Sequence, residues 1–573
     1  MFDKRTGEVM AQQLIDCGVQ HVYGMPGDSI NELIDDLRKR KEEIEFIQVR
    51  HEETGALSAA AYAKLTGKLG VTMAIAGPGA VHLLNGLYDA KADKAPVLAI
   101  VGQVHSEEVG TGAFQEINLE RMFDDVAVFN KRAETEAQLP DLLNQAIREA
   151  YAASGVSVLI VPDDLFAKKQ KSQVRLTSPG YVRPRVIPAM EDLKEARHLL
   201  EQAEKPLILA GQGASSARSS LIEFAETIKA PIILSLLAKG VIPDHHPYCL
   251  GQHGQIGTKP AYHAMKETDL LILIGTQFPY RDFLPDNVKA IQIDLRPENI
   301  GKHYPVDVGL PGDAEATMKA LQELLTPVEE RQYLTYYQEK MNDWRIALQE
   351  EKRSTSNPLH APQVMYQLEK LMKPGAVISG DVGNSTVWVS RFLPFVDQKF
   401  VMSGWLATMG SGLPGALAAQ VAYPERQVIG IAGDGGFSMV MHDFVTAVKY
   451  DLPIKMVVLN NSKIGMIKYE QEQMGHLNYA TDLGEIDFAK FAEACGGEGY
   501  RVENYEDLES KMNQAFLSNK PVLIDVVIED VAPLPGKIDY TSAVNFSKYV
   551  IKNFFESGTL DLPDLKKSLK RLT

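Results

Sequence analysis

A short apolar run, Val428 to Ala432, stops abruptly at Gly433, Asp434, Gly435 and Gly436, and a second, Lys455 to Leu459, stops at Asn460 and Asn461. The residues between, Phe437 to Tyr450, carry apolar positions at helical spacing. A right-handed crossover of this kind makes the two strands parallel. Asp434 and Asn461 then lie at the carboxyl edge of one sheet, where open α/β folds bind ligands. Carboxylate and amide oxygens suit a hard cation such as Mg2+, which keeps positions for phosphate oxygens or a backbone carbonyl. Glycine lets the backbone come close to a phosphate. A lone GDG is most often only a strand-to-helix turn, but here a buried strand precedes it and a polar pair ends the next strand.

The same alternation of short apolar runs and helical patterns recurs along the 573 residues, too many for one core. It breaks at Leu176 to Pro188, where three prolines and a glycine cluster, and again at RSTSNPLHAP after a charged helical stretch. The expectation is three doubly wound parallel α/β domains at 1–180, 188–345 and 355–535, followed by a tail at 536–573. Strands are expected at IEFIQV, VTMAIA, VLAIVG and SVLIVP; at PLILAG, PIILSL, DLLILIG and AIQIDL; and at AVISGD, VIGIAG, KMVVLN and VLIDVVI.

Composition excludes several classes. A formal charge of −16 argues against a general nucleic-acid binder, which needs a basic face. The three cysteines, Cys17, Cys249 and Cys495, form no CxxC pair, so no disulfide framework or zinc site is indicated. The first residues lack a signal peptide's apolar core, and no 18-residue apolar run exists to cross a bilayer. A cytoplasmic location is the expectation.

Other candidate positions are weak when taken singly. Glu52 follows a strand at the start of a helical run, a place where acids commonly cap. His82 and Asn85 follow the AGPGA turn one helical turn apart, and Phe114 and Gln115 sit in a loop-like stretch. Together, RHEE, GPGAVHLLNG, AFQE, GWLATMGSGLPGA, GDGG and NNSKIGMIKYEQ, in this order and spacing, resemble the thiamine diphosphate enzymes of the pyruvate oxidase group. The resemblance covers nearly the whole chain.

The resemblance implies a role for each matching residue. Glu52 would hydrogen-bond the aminopyrimidine ring of thiamine diphosphate, with His82 and Asn85 nearby. Met409, beside Ala407 and Thr408, would wedge between the cofactor's rings. Asp434, Asn461 and the backbone carbonyl near Lys463 would hold Mg2+, with Gly433, Gly435, Gly436 and Gly465 around the diphosphate. Glu470, Ile467 and Met466 would face the reacting carbon, and Phe114 and Gln115 the substrate end. Met466 stands where the oxidases often carry phenylalanine.

In the middle domain, Gly211, Gly213, Gly251, Gln252, His253, Gly254, Gly275, Thr276, Gln277, Phe278, Pro279, Asp294 and Asp313 match the FAD site of the flavin-containing members. Glycines at strand ends admit a pyrophosphate, and an acid ending a strand can bind a ribose hydroxyl.

The implied activity is oxidative decarboxylation of pyruvate to acetate or acetyl phosphate, with electrons passing to FAD and then to oxygen or quinone. The implied assembly is a homotetramer whose glutamate and diphosphate halves come from different subunits. The enzymatic rival is acetolactate synthase, which keeps FAD as a passenger, and a further alternative is a non-catalytic cofactor-binding protein. In the tail, Phe546, Val550 and Phe554 recur at i, i+4 and i+8 among lysines. They suit either peripheral contact with the inner face of the cell membrane or packing on their own domain.

Overall fold

The computed structural model describes residues 4–170 and 185–531, together with Tyr549. Three six-stranded sheets, parallel throughout, follow one another along the chain. In the first, β1 (His21–Gly24), β2 (Glu45–Gln48), β3 (Gly70–Ala74), β4 (Val97–Gln103), β5 (Ala127–Arg132) and β6 (Val156–Pro162) take the order β2-β1-β3-β4-β6-β5. The second holds β7 (Pro206–Ala210), β8 (Ile232–Leu234), β9 (Cys249–Gln252), β10 (Leu270–Ile274), β11 (Lys289–Asp294) and β12 (Val308–Pro311), in the order β12-β11-β10-β7-β8-β9. In the third, β13 (Val377–Gly380), β14 (Lys399–Val401), β15 (Val428–Gly433), β16 (Lys455–Asn460), β17 (Glu498–Val502) and β18 (Val522–Val527) repeat the first pattern as β14-β13-β15-β16-β18-β17.

Central strands such as β4, β7, β10 and β16 are buried along their whole length, because helices cover both faces of each sheet. One apolar cluster joins the first and third sheets. It runs through helix Glu52–Thr66, where Ala59, Ala60 and Ala63 are buried, and helix Gly412–Ala422, where Leu413, Ala416 and Ala419 are buried. Small side chains let these two helices approach closely, and Ser58 Oγ donates to the Pro414 carbonyl at 3.1 Å across the contact.

The continuous helix expected over Phe437 to Tyr450 is broken. Helix Asp434–Val440 ends in a 3-10 turn at Met441–Asp443, and helix Phe444–Lys449 follows. The buried Asp443 carboxylate accepts from the Arg50 backbone N–H at 2.7 Å and from Thr446 Oγ1 at 2.8 Å, tying the turn to the first domain. Helix Gln332–Lys352 runs without interruption past residue 345. The segment 171–184 and the tail, with Phe546, Val550 and Phe554, lie outside the described residues. Tyr549 is the exception; it is helical, and its hydroxyl accepts from Asn478 Nδ2 at 3.2 Å.

Candidate active site

The third sheet reverses direction of build between β13 and β15, which makes their carboxyl ends a topological switch point. Asp434 stands there at the end of β15, and Asn461 just past the neighbouring β16, whose Leu459 pairs with Gly433. Asp434 is 5 % exposed. Burial pushes its carboxyl up to about 6, while the backbone N–H groups of Gly435, Asn461 and Ser462 pull it back. Among the described residues no lysine, arginine or histidine pairs with this carboxylate within ion-pair distance. A buried acid without a cationic side chain, next to an amide oxygen, fits a hard divalent cation.

Asn461 donates from Nδ2 to Asp530 at 3.1 Å, and its Oδ1 accepts from the Lys463 N–H at 3.2 Å, so its oxygen faces the Lys463 turn. Open space lies in front of Gly433, where an added Cβ would meet nothing within 4 Å. At Gly435 an added Cβ would come 3.3 Å from Met409 Cε, which places the methionine against the glycine turn. Ala407, two residues before it, adopts a left-handed φ of 55°. Helix Gly465–Gln473 carries Met466, Ile467 and Glu470 beyond Asn461, with Ile467 45 % exposed. An added Cβ on Gly465 would come 3.0 Å from Asn461 Nδ2.

The first sheet supplies a second half. Glu52 is the first residue of its helix rather than the cap; His51 occupies the cap position and accepts from the Glu53 N–H. The Glu52 side chain is buried and its Oε2 lies 2.9 Å from His82 Nδ1, while an added Cβ on Gly79 would stand 3.1 Å from Oε1. His51 stacks on His82 with ring centroids 4.3 Å apart. His82 closes the short helix Pro78–His82, and Asn85 opens the next, Leu84–Ala92. Asn85 Nδ2 donates to Glu53 at 2.6 Å and to Thr408 Oγ1 at 2.9 Å, so one amide touches the glutamate helix and the Met409 segment together. This contact lies within a single chain. Gln115, at φ 65°, places its carbonyl close to Gly77, whereas the Phe114 side chain is 87 % exposed and joins neither half.

In the second sheet the switch point falls between β7 and β10. Gly211 and Gly213 follow β7, Gly275 follows β10, and the two turns cross at backbone contact: an added Cβ on Gly211 would lie 2.3 Å from the Gly275 carbonyl oxygen. Gly254 borders Phe278, and an added Cβ on Gly251 would lie 2.5 Å from Thr258 Cγ2. Thr276, Gln277, Phe278 and Pro279 continue from β10 along the same edge. Asp294 ends β11, accepts from the Arg296 N–H and from Asn299, and has its carboxyl raised by burial. Asp313 instead caps helix Ala314–Leu324, accepting from the Ala316 N–H at 3.0 Å. Gln252 and His253 are buried, and Gln252 Nε2 and His253 Nδ1 have no hydrogen-bond partner among the described residues. Buried polar atoms left open at a dinucleotide switch point fit a polar ligand such as the adenine dinucleotide of FAD.

Two functional positions were not singled out from the sequence. Asp381 follows directly after β13, is fully buried, and accepts from the N–H groups of Val382, Gly410 and Gly412. Burial raises its carboxyl to about 6. It ties the turn after Met409 to β13, and an added Cβ on Gly436 would stand 2.8 Å from it. Asp530, which orients Asn461, also pairs with Lys468. AVISGD ends in the same strand-then-acid pattern as VIGIAGD, which is the signal that could have found Asp381.

Three switch points, one with a buried acid and amide pair, one with a buried glutamate on the helix after β2, and one with crossed glycine turns, define a multidomain cofactor enzyme. Family models agree domain by domain: the N-terminal TPP binding domain of thiamine pyrophosphate enzymes matches residues 4–122, the central domain 193–321, and the C-terminal TPP binding domain 381–526. The chain belongs to the thiamine pyrophosphate (thiamine diphosphate) enzyme family. It is 54 % identical over 573 residues, all of both chains, to the putative thiamine pyrophosphate-containing protein YdaP of Bacillus subtilis (strain 168). It is 38 % identical over 532 residues to the pyruvate oxidase of Lactiplantibacillus plantarum, covering 91 % of this chain and 88 % of that one. The probable acetolactate synthase large subunit of Methanocaldococcus jannaschii is 32 % identical over 541 residues, covering 90 % and 91 %.

Proposed function

We propose that this enzyme is a thiamine diphosphate- and FAD-dependent pyruvate oxidase, converting pyruvate to carbon dioxide and acetate or acetyl phosphate. When bound, thiamine diphosphate would supply a carbon acid able to stabilise the electron pair left by decarboxylation, and FAD a two-electron acceptor. Glu52 would hold the aminopyrimidine through its buried carboxyl, with His82 fixing the carboxyl's orientation. Asp434, Asn461 and the Lys463 backbone would hold Mg2+ and, through it, the diphosphate. Met409 would set the angle between the cofactor's rings from its seat against Gly435. Ile467 and Glu470 would line the substrate side, with Phe114 and Gln115 closing it.

The flavin, without which the oxidative reading fails, is supported by one observation above all. The second sheet, read from β9 to β12, has the strand order of dinucleotide-binding domains, with crossed glycines at its switch point. The greater likeness to a pyruvate oxidase than to an acetolactate synthase, 38 % against 32 %, points the same way. Carboligation is the second reading, supported by likeness to acetolactate synthases over 90 % of the chain. Adding pyruvate without oxygen to the purified holoenzyme and following the flavin spectrum separates the two. Bleaching is expected. Acetolactate formation with an unbleached flavin would overturn the oxidase reading, and a protein purified without flavin would remove its redox half.

Oxygen or quinone as the final acceptor belongs to the same proposal, and reoxidation of the bleached flavin by each distinguishes them. So does a homotetramer with active sites at dimer interfaces, where exposed Phe114 is apolar surface that a second copy would cover. Sedimentation velocity checks it. A cytoplasmic enzyme that touches the membrane through residues 537 to 573 is the proposed location; equal vesicle binding with and without that segment would remove the membrane contact.

A further inference from the structure

Four polar side chains of the first domain converge on one short segment of the third. Asn85, Asp89 and Asp93 recur every fourth residue along and just past helix Leu84–Ala92, so they share one face. Lys64, on the helix that begins with Glu52, reaches across to that face and pairs with Asp89 at 2.6 Å and Asp93 at 2.5 Å. All three charged side chains are nearly solvent-free. Two carboxylates around a single buried ammonium leave acceptor capacity to spare.

That capacity is directed at the loop leading to Met409. The Asp93 carboxylate accepts from the Gly404 N–H at 3.1 Å and from the Trp405 N–H at 2.9 Å. Lys64 Nζ also donates to the Met402 carbonyl at 3.1 Å. Ser403, next in line, accepts from the Thr408 N–H at 3.0 Å, and the Thr408 hydroxyl accepts from Asn85. Every residue from Met402 to Trp405, and Thr408 after them, is thus held by this face or by its neighbour. If the cluster served only to bind its own two helices together, Lys64 and Asp89 would suffice, and Asp93 would not need both oxygens on a loop of another domain.

The geometry points to Lys64 and Asp93 as an interdomain clamp that positions the Ser403–Met409 segment, and so couples the seat of Met409 to the Glu52 helix. Neither residue touches the cofactor site itself; both act as positioning residues through the loop. The inference rests on the thiamine diphosphate reading of that site. Removing the charge of Asp93 weakens two charge-assisted hydrogen bonds, and small misplacement of a reacting assembly costs rate steeply.

The test uses the full-length protein as wild type, Asp93→Asn and Asp89→Asn. Amide hydrogen exchange followed by mass spectrometry reads residues 402–409, and uptake of deuterium at C2 of added thiamine diphosphate with Mg2+ reads cofactor activation. Asp93→Asn is expected to speed exchange of the Gly404 and Trp405 amides and to slow C2 exchange by about tenfold to a hundredfold. Asp89→Asn removes an equal charge from Lys64 and, though Asp89 also meets the Ser403 side chain, leaves the Asp93 acceptors of Gly404 and Trp405 in place; it is expected to stay within about threefold of wild type. Equal effects of the two variants, or unchanged C2 exchange in Asp93→Asn, would overturn the clamp. Should Asp93→Asn not fold, Lys64→Met carries the same test, since it removes the donor to the Met402 carbonyl and the partner of Asp93; unchanged C2 exchange there overturns the clamp as well. A wild-type protein that takes up no thiamine diphosphate overturns the reading of the site, and with it the clamp's link to Met409.

Discussion

The first and third sheets share one strand order yet end in opposite chemistry. At the switch point of the third, two buried acids, Asp381 and Asp434, accept from backbone N–H groups; Gly412 and Gly436 pack on Asp381, and open space lies in front of Gly433. At the switch point of the first, β1 ends in Gly24 and β3 in Ala74, and the buried acid Glu52 is displaced to the helix after β2 and held by His82. The same scaffold therefore serves two tasks. One copy concentrates buried carboxylates and backbone N–H groups, as the proposed metal and diphosphate site needs, and the other sets a single buried carboxyl against His82, as the proposed proton relay needs. Neither half is a complete site, and Asn85 links the Glu52 helix to Thr408 of the Met409 segment within one chain.

If the halves divide the work in this way, substitutions should separate cofactor activation from cofactor capture. Glu52→Gln is expected to lower the rate of carbon dioxide release from pyruvate by about 10²- to 10⁴-fold, because an amide cannot relay the proton. The circular dichroism spectrum should not change. Wild-type turnover in this variant would erase the distinction between the two halves.

Gly211→Ala probes the middle sheet as the region that neither half should need. Its added Cβ would meet the Gly275 carbonyl, costing the central domain up to about 3 kcal/mol by overpacking. Flavin content should fall while thiamine diphosphate binding persists, as read by calorimetry on the same preparation. Loss of both would mean that the three sheets act as one unit.

His253 sharpens the contrast through pH. Burial depresses its imidazole to about 4, from an ordinary value near 6.5. The unfolded chain then binds a proton that the folded chain refuses, so stability drains away as pH falls from 6.5 towards 4. His253→Gln should remove about 2 kcal/mol of that loss at pH 5, seen as a smaller shift of the thermal midpoint between pH 7 and pH 5. An unchanged shift would place the acid sensitivity elsewhere, in one of the outer sheets.

The smallest effect is expected from His82→Ala. It frees the Glu52 carboxyl to rotate without removing it, and should cost about tenfold in turnover. A fall as deep as that of Glu52→Gln would make His82 a direct participant.

How much of this was legible before the structure follows from burial. Strands such as VLAIVG, DLLILIG and KMVVLN lie inside their sheets, covered on both faces, and read as plain apolar runs. The strands left unread are mostly edges: β5 ends in Asn130, Lys131 and Arg132, β14 begins with Lys399, and β17 carries Glu498 and Arg501. An edge strand faces solvent on one side and needs no apolar alternation to pair. β1, HVYG, was missed for another reason, since four residues are too few to show a period. At the site, Asp434 and Asn461 were readable because strand ends in a parallel sheet align. Asp381 carries the same strand-then-acid pattern, but its role does not show there, because nothing in DVGNST tells that three N–H groups from residues 382 to 412 will turn towards it. The contact of Asn85 with Thr408 depends on how two domains dock, which no local pattern encodes.

The division between the two outer sheets is tested most directly by calorimetric titration of thiamine diphosphate with Mg2+ into Asp434→Ala and Glu52→Gln side by side. Asp434→Ala is expected to weaken binding by more than about a hundredfold, since the proposed metal ligand is gone, while Glu52→Gln should bind within about tenfold of wild type. Equal affinities in the two variants, or a Glu52→Gln protein that cannot bind while Asp434→Ala can, would contradict the account.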